Sequence, residues 1–340
     1  MLTDVQLPEY LDAAATTPVH PEVLEAMLPY FTQHFGNANS QHIYGQIAKK
    51  AIDDARESIA AHINVLPEEI IFTSGATEAI NLAIKGYWEA NRDKGNHIIT
   101  VKTEHKAVLN TCAYLETLGV DVTYLDVDHY GRITNDQLKA AFRPDTILAC
   151  VMHVNNETGL IQDIHSFAET CAEQGIAFFT DSTQAIGHIE TDYSNQAITM
   201  ACMSAHKIQG PKGIGALIKK NGNKVFTQIH GGNQQDLRSG TLPVSSIVGL
   251  QTALKISPNH VIHPTLPLLP FENKPLLPKG LSAPHINCLI VSKSLELESQ
   301  ENIPAISEGS ACISGLNRVS HVQEALLIRN HNLIRISYHE

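Results

Sequence analysis

A single lysine, Lys207, follows a histidine at the end of an apolar stretch and precedes a glycine-rich turn, in SAHKIQGPKGIG at positions 204–215. At the end of a buried strand a lysine loses hydration, which disfavours its charge and lowers its pKa. A neutral amine of this kind can form an imine with a carbonyl compound. The alternative is a lysine that reaches out of the loop into water, so other residues must decide.

The motif TSGATEAINLAIKG, residues 73–86, is typical of a turn that leads into an apolar-periodic helix. At a helix N-terminus the first backbone amides have no partner within the helix, which suits a phosphate. Many helices begin with such a cap and bind nothing. The amides that the motif offers to a phosphate belong to Gly75, Ala76 and Thr77.

Two other strand ends carry a carboxylate and an imidazole. Asp181 ends a strand in FFTDSTQAIG, with Gln184 three residues later. A carboxylate there can hold a protonated ring nitrogen, or it can cap a helix. His105, in TEHKAV, follows the apolar run HIITV, where a flat ring could stack on a flat cofactor or serve as a cap or surface residue.

Ser204 and His206 flank Lys207 and could reach a phosphate or order the end of the strand. Together the four motifs supply a phosphate site, a partner for a ring nitrogen, a stacking ring and an imine-forming lysine. These groups are what a pyridoxal phosphate enzyme requires of its protein.

Apolar strand candidates alternate with helix-like stretches, one of which has helical spacing over residues 45–63. The strands are predicted at 70–72, 97–101, 122–125, 146–152, 177–180, 197–203 and 214–218. This alternation predicts an α/β fold with a mostly parallel sheet, whose ligands bind beyond the carboxyl ends of the strands. After about residue 256 a stretch with seven prolines predicts an extended connection or loop, and we place the domain change near it.

The 340 residues are 43% hydrophobic and 17% charged, which predicts a globular protein of two domains. A formal net charge of −11 argues against attraction of the whole surface to nucleic acid or to anionic membranes. We find no targeting or membrane-spanning pattern and expect a cytoplasmic protein. The six cysteines show no CxxC pair and no spacing typical of zinc sites, so no metal centre is expected. Cys312, in SEGSACISG, is set among small residues and is either a catalytic or an incidental loop thiol.

Long stretches of the chain resemble the cysteine desulfurases, in the subgroup with a mobile cysteine loop. The resemblance covers residues 10–255 and returns at 306–338, through YLDAAATTP, FGNANSQHIYGQIAKKA, FTSGATEAINLAI, TEHKAV, HVNNETGLIQDI, DSTQAIG, SAHKIQGPKGIGAL, RSGTLPVSSIVGLQTAL and SEGSACISG. It implies a fold-type-I pyridoxal phosphate homodimer. Its large domain, residues 16–250, would hold a mostly parallel seven-stranded sheet, and residues 1–15 and 251–340 would form a smaller, shortened α+β domain.

The resemblance also assigns roles around the cofactor. Lys207 would be its covalent attachment point, Asp181 would pair with the pyridinium nitrogen, Gln184 would bond the ring hydroxyl and His105 would stack on the ring. The phosphate would be bound by the start of the helix and by side chains that include one from the other subunit: Ala76, Thr77, Ser204, His206 and the partner's Thr241.

The same resemblance assigns the substrate site and the nucleophile. Asn156 and Arg335 match positions that bind the amino acid, with Asn37 a weaker third. Cys312 matches the cysteine that takes sulfur from L-cysteine as a persulfide, leaves alanine and passes the sulfur to a protein acceptor. A thiolate that must attack and then swing outward suits a Gly/Ser loop.

Two other functions are compatible with these residues. Another pyridoxal phosphate lyase or aminotransferase of the same fold would keep Lys207 and Asp181 but would have no use for the loop around Cys312. A trimmed paralogue could act mainly as a scaffold for sulfur transfer. The sequence leaves the acceptor open, since iron–sulfur assembly, tRNA thiolation and phosphorothioate modification of DNA begin with the same persulfide.

Overall fold

The structure is a computed structural model of one chain. It describes residues 8–232, 235–257, 273–278, 280–292, 305–307, 320–328 and 331–339.

The larger of two sheets has seven strands in the spatial order β1-β7-β6-β5-β4-β2-β3. Only β7 runs antiparallel to its neighbours, which confirms the predicted α/β fold with a mostly parallel sheet. The strands are β1 (Ile70–Thr73), β2 (His97–Val101), β3 (Asp121–Leu125), β4 (Thr146–Cys150), β5 (Ala177–Asp181), β6 (Met200–Ser204) and β7 (Gly215–Lys219).

Helices cover both faces of this sheet, and apart from the edge strand β3 its strands are buried and mostly apolar because they have no solvent side. The helices in the described ranges are α1 (Pro21–Met27), α2 (Pro29–Thr32), α3 (Ile43–His62), α4 (Ala76–Ala90), α5 (Lys106–Glu116), α6 (Asn135–Ala140), α7 (Ile164–Ala172), α8 (Val244–Ile256) and α9 (His321–Ala325). None of the helices described by the structure is long and apolar enough to span a membrane.

Each face of the sheet has its own core. On one face α3 buries Ala48, Ile52 and Ile59 in a cluster that also contains α8 residues. On the other face α4 and α5 pack their apolar sides against the strands. Helix α8 ends at Ile256, and its Leu254 lies in the first cluster. The domain bounds expected from the sequence stay a prediction.

The smaller sheet has three antiparallel strands, ordered β10-β9-β8: β8 (Asn273–Pro275), β9 (Ile286–Ser292) and β10 (His331–Ser337). The N-terminal segment pairs beside it, because Asp12 forms a bridge with Ser337 and Tyr10 forms one with Ala305. The same segment continues to Ala14 and Ala15, which line the cavity beside Lys207. It therefore connects the small sheet to the edge of the large one.

Candidate active site

A cavity of about 530 Å³ opens at the carboxyl ends of the parallel strands. This is the edge at which a doubly wound sheet binds ligands. The structure brings ten of the predicted site residues to its wall: Ala76, Thr77, His105, Asn156, Asp181, Gln184, Ser204, His206, Lys207 and Arg335.

Lys207 ends a short 3-10 turn that follows β6 directly. Its Nζ donates hydrogen bonds to the carbonyl oxygens of Ala14, at 2.6 Å, and Ala15, at 2.7 Å. The amine is thus held at the cavity wall by two backbone acceptors of the N-terminal segment. Its predicted role as the imine-forming lysine stays a prediction.

Asp181 is the last residue of β5 and is only 5% exposed. Its Oδ1 accepts from the backbone N–H of Thr183 at 3.0 Å and from the Cys202 thiol at 3.4 Å. Burial raises the pKa of that thiol well above its ordinary value, with the Asp181 charge as the next cause, so the sulfur keeps its proton and remains a donor. The carboxylate is therefore fixed in orientation at the cavity wall.

His105 lies where α5 begins, beside the cavity. It caps α5, with its Nδ1 accepting from the N–H of Ala107 at 3.1 Å, and it lines the cavity. Burial is the main cause that lowers the pKa of His105, so the ring is neutral at neutral pH. A neutral ring fixed at one edge can present a face to a planar ligand.

The N-terminus of α4 also lines the cavity. Its N-cap is Gly75, which offers no side-chain cap, so the first amides of the helix are left for another acceptor. Gly75 has φ +148°, which is strained for other residues, and a Cβ built there would lie 3.6 Å from Ser204 Oγ. A Cβ added to Gly215 would lie 2.8 Å from the Cα of Gly75, so position 215 also requires a glycine.

Arg335 is one of the most buried charged residues described, at 1% exposure. Its Nη1 donates to the carbonyl of Asn156 at 2.8 Å, and its Nη2 lies 2.5 Å from Asp12 Oδ1. Its Nε has no partner in the described part of the chain. The guanidinium is therefore oriented by two contacts, and the residue lines the cavity.

Two predicted residues in the described ranges, Asn37 and Thr241, do not line this cavity. Cys312 lies outside the described residues. Asn37 lies in the loop after α2, where its Oδ1 accepts from the N–H of Asn39 at 3.0 Å. Thr241 is exposed just before α8, and its predicted role at the partner's site remains a prediction.

Our sequence analysis missed several groups around the cavity. Asp12 and the carbonyls of Ala14 and Ala15 belong to the quoted YLDAAATTP motif, but backbone acceptors carry no side-chain signal. Glu104 is 1% exposed, and its Oε1 accepts from the N–H of Met152 at 2.5 Å while Oε2 has no partner in the described ranges. Burial, followed by the Asp181 charge, raises the pKa of Glu104 well above its ordinary value, which favours the protonated carboxyl in the folded protein.

Comparison with known proteins relates this fold and cavity to one family. The family model of class-V aminotransferases matches residues 9–262. The cysteine desulfurase IscS of Neisseria gonorrhoeae is 43% identical over 98% of this chain and 88% of its own length.

Solved structures show the same relationship. A structure described as SspA in complex with cysteine superposes with a TM-score of 0.87 at 36% identity, over 97% of this chain and 98% of that one. DndA from Streptomyces lividans superposes with a TM-score of 0.77 at 31% identity, over 96% and 99% of the two chains. With a matching family model and relatives that extend over nearly the whole chain, the protein belongs to the cysteine desulfurases, within the class-V aminotransferase family.

Proposed function

We propose that this chain binds pyridoxal 5'-phosphate and converts L-cysteine to L-alanine, with the sulfur taken up by Cys312. The observation that carries this proposal is the cavity itself. One wall presents the amine of Lys207, the carboxylate of Asp181 and an uncapped helix N-terminus within a single space of about 530 Å³. Cysteine desulfurases are pyridoxal phosphate enzymes, and these three groups are what that cofactor needs from a protein.

The residues present fit the cofactor. The phosphate would be held by the amides of Ala76 and Thr77 with Ser204 and His206, because Gly75 leaves the helix start without a side-chain cap. Burial, then the charges of two lysines, lowers the pKa of His206 to about 4, so it would donate to the phosphate as a neutral ring.

The remaining cofactor contacts follow from the same wall. Asp181 would pair with the ring nitrogen, Gln184 would donate to the ring hydroxyl and the neutral ring of His105 would stack. Lys207 would attach the cofactor covalently and later move protons through Nζ. Bound pyridoxal phosphate supplies an electron sink that weakens bonds at the α and β carbons of an amino acid.

Arg335 would bind the carboxylate of cysteine, since its guanidinium is held at the cavity by Asp12 and Asn156. Asn156 would help to hold the amino acid, and Asn37 stays a weaker candidate for the same task. Positioning by such contacts removes much of the entropy cost of the later chemistry.

Cys312 would act as the nucleophile. The Cβ–S bond of the substrate breaks as an S–S bond forms on the Cys312 thiolate, and a proton added at Cβ completes the methyl group of alanine. The described segment nearest to it along the chain, Ala305–Ser307, supports this role. Ser307 exchanges two backbone hydrogen bonds with Arg335, so the segment that leads to Cys312 begins beside the substrate arginine.

The partners proposed are a second copy of the chain, which would place Thr241 at the neighbouring phosphate, and a protein that accepts the sulfur. We propose a cytoplasmic enzyme that binds neither membranes nor nucleic acid directly.

Two variants test the proposal. The purified protein is expected to be yellow and to bind the cofactor covalently, and Lys207→Ala should abolish covalent fixation by borohydride. Cys312→Ser should still bind cofactor and cysteine but release alanine at least about a hundredfold more slowly. Unchanged alanine release in Cys312→Ser would instead support a general lyase or aminotransferase, and fixation in Lys207→Ala would contradict the assignment of the lysine.

A further inference from the structure

Two histidines outside the cavity wall lie face to face behind it. The rings of His188 and His285 are stacked, with centroids 3.8 Å apart and planes within 7°. His188 follows the Gln184 turn of the large sheet, whereas His285 immediately precedes β9 of the small sheet. The pair therefore joins the two sheets directly behind two predicted cofactor residues.

His285 contacts the first of those residues. Its Nε2 lies 3.2 Å from Gln184 Oε1, and the amide Nε2 of Gln184 donates to the carbonyl of Ala14 at 2.9 Å. A carbonyl oxygen can only accept, so the Gln184 NH₂ group must face Ala14 and its oxygen must face His285. The imidazole must therefore carry its proton on Nε2 and donate it.

His188 contacts the second residue. It hydrogen-bonds to the backbone of Lys207, and because this bond favours the protonated ring, the partner is the carbonyl oxygen. The Nζ of Lys207 donates to the carbonyl oxygen of Ala14 at 2.6 Å, and the same oxygen accepts from Gln184. Lys207, His188, His285, Gln184 and Ala14 thus form a closed ring of contacts.

We propose that the His188–His285 stack is a positioning element that fixes the Gln184 amide and the Lys207 backbone for the cofactor. His285 decides the amide orientation, and His188 supports the ring of His285 while it holds the Lys207 carbonyl. Since the NH₂ group of Gln184 has two hydrogens and Ala14 takes one, this orientation keeps a donor for a ligand oxygen in the cavity. The inference rests on the proposed function, because the ligand oxygen is the ring hydroxyl of pyridoxal phosphate.

Both rings act as neutral groups. His285 is 2% exposed, and burial lowers its pKa well below the ordinary value, with the neighbouring His188 as a smaller cause. Burial likewise lowers the pKa of His188 to about 4. Two neutral rings can stack closely, whereas two imidazolium ions at this distance would repel each other.

Three variants separate positioning from simple structural support. His285→Phe keeps a flat ring against His188 but removes the donor, whereas His285→Gln keeps a donor and loses the ring. His97→Phe is the matched control, because His97 is also buried and hydrogen-bonded on both nitrogens, but at the amino end of β2. All three are expected to lower the thermal unfolding midpoint.

Only His285→Phe is expected to change the bound cofactor. Loss of a donor makes the ring oxygen more basic, so the pH midpoint of the visible absorbance should rise by at least about half a unit. The cofactor Kd should rise about three- to tenfold. His285→Gln and His97→Phe should stay near wild type, and His285→Phe should add nothing in a Gln184→Ala background.

The opposite results overturn the inference: an unchanged midpoint and Kd in His285→Phe, or an effect that adds fully to that of Gln184→Ala. The tautomer of His285, measured in the protein without cofactor, tests the inference independently. The ¹⁵N shifts of the His285 ring should report a neutral Nε2–H tautomer, and an Nδ1–H tautomer would contradict the assignment. Failure of the wild type to bind cofactor would instead refute the proposed function. The tautomer measurement would still test whether His285 donates to Gln184.

Discussion

The ion pair between Arg335 and Asp12 predicts that Asp12→Ala lowers both stability and cysteine turnover. The two side chains are 2% and 16% exposed, and their atoms approach to 2.5 Å. Apart from Asp12, the guanidinium has one described acceptor, the carbonyl of Asn156. Removing one partner of a buried pair costs about 3–5 kcal/mol, because the other charge stays buried without compensation.

We expect the lower end of that range, because the partial exposure of Asp12 lets water reach the guanidinium in the variant. An unfolding entropy of about 2.1 cal/mol/K per residue gives about 0.7 kcal/mol/K for 340 residues. A loss of about 3 kcal/mol therefore lowers Tm by about 4 °C. Asp53→Ala is the control: it removes the exposed partner of Lys49 and should change Tm by less than about 1 °C.

A double variant separates the effect of the unpaired Arg335 charge on stability from the role proposed for Arg335 in activity. Asp12→Ala with Arg335→Met leaves no buried charge unpaired and should regain most of the lost Tm. It should not regain activity, because Arg335 is the cation proposed to bind the cysteine carboxylate, and kcat/KM should remain about a hundredfold or more below wild type. Calorimetry at fixed protein concentration and alanine formation at saturating cofactor measure the two effects. A wild-type Tm in Asp12→Ala, or a double variant less stable than Asp12→Ala, would refute the reasoning.

Three further predictions concern the same cavity. Glu104→Gln should stabilise the protein relative to wild type at pH 8 but not at pH 4. Because the pKa of Glu104 is raised in the folded protein, the folded state keeps a proton that the unfolded chain releases above about pH 4.5. The stability of the wild type therefore falls as pH rises. Thermal unfolding across pH measures this difference. Cys202→Ala removes a donor to Asp181 and should raise the cofactor Kd about two- to fivefold in a spectroscopic titration, whereas Cys202→Ser should not. Gly75→Ala, at a φ of +148°, should cost about 1–3 kcal/mol in denaturant unfolding and weaken cofactor binding.

The apolar periodicity of the sequence was sufficient to predict the large sheet. The predicted run at 97–101 coincides with β2, because a strand buried on both faces consists of apolar residues without interruption. The run predicted at 197–203 begins too early, since β6 starts at Met200. Asn195 explains the difference: its side chain and its carbonyl accept from the N–H groups of Ala197 and Ile198, which holds these residues in a turn.

The strand ends also predicted most of the cavity wall, because topology alone brings the carboxyl ends of parallel strands to one edge. Contacts between distant segments could not be predicted in this way. His285 and Gln184 are 101 positions apart, and no periodic pattern relates them. The acceptors for Lys207 are backbone carbonyls, which every residue has, so residue types do not mark them.

The charge of the cavity differs in sign from the charge of the chain, and this difference selects the ligand. The chain carries −11 overall, yet Lys207, Lys212 and Arg335 line the cavity together with a helix N-terminus. Of the two carboxylates that line the cavity, Glu78 is paired with Arg238, and Asp181 lies at the position proposed for the cofactor ring. Local potential, rather than net charge, governs binding within a cleft. The cavity therefore suits a ligand with a phosphate and a carboxylate at its ends and a single cationic nitrogen at Asp181, which is the charge pattern of pyridoxal phosphate bound together with an amino acid.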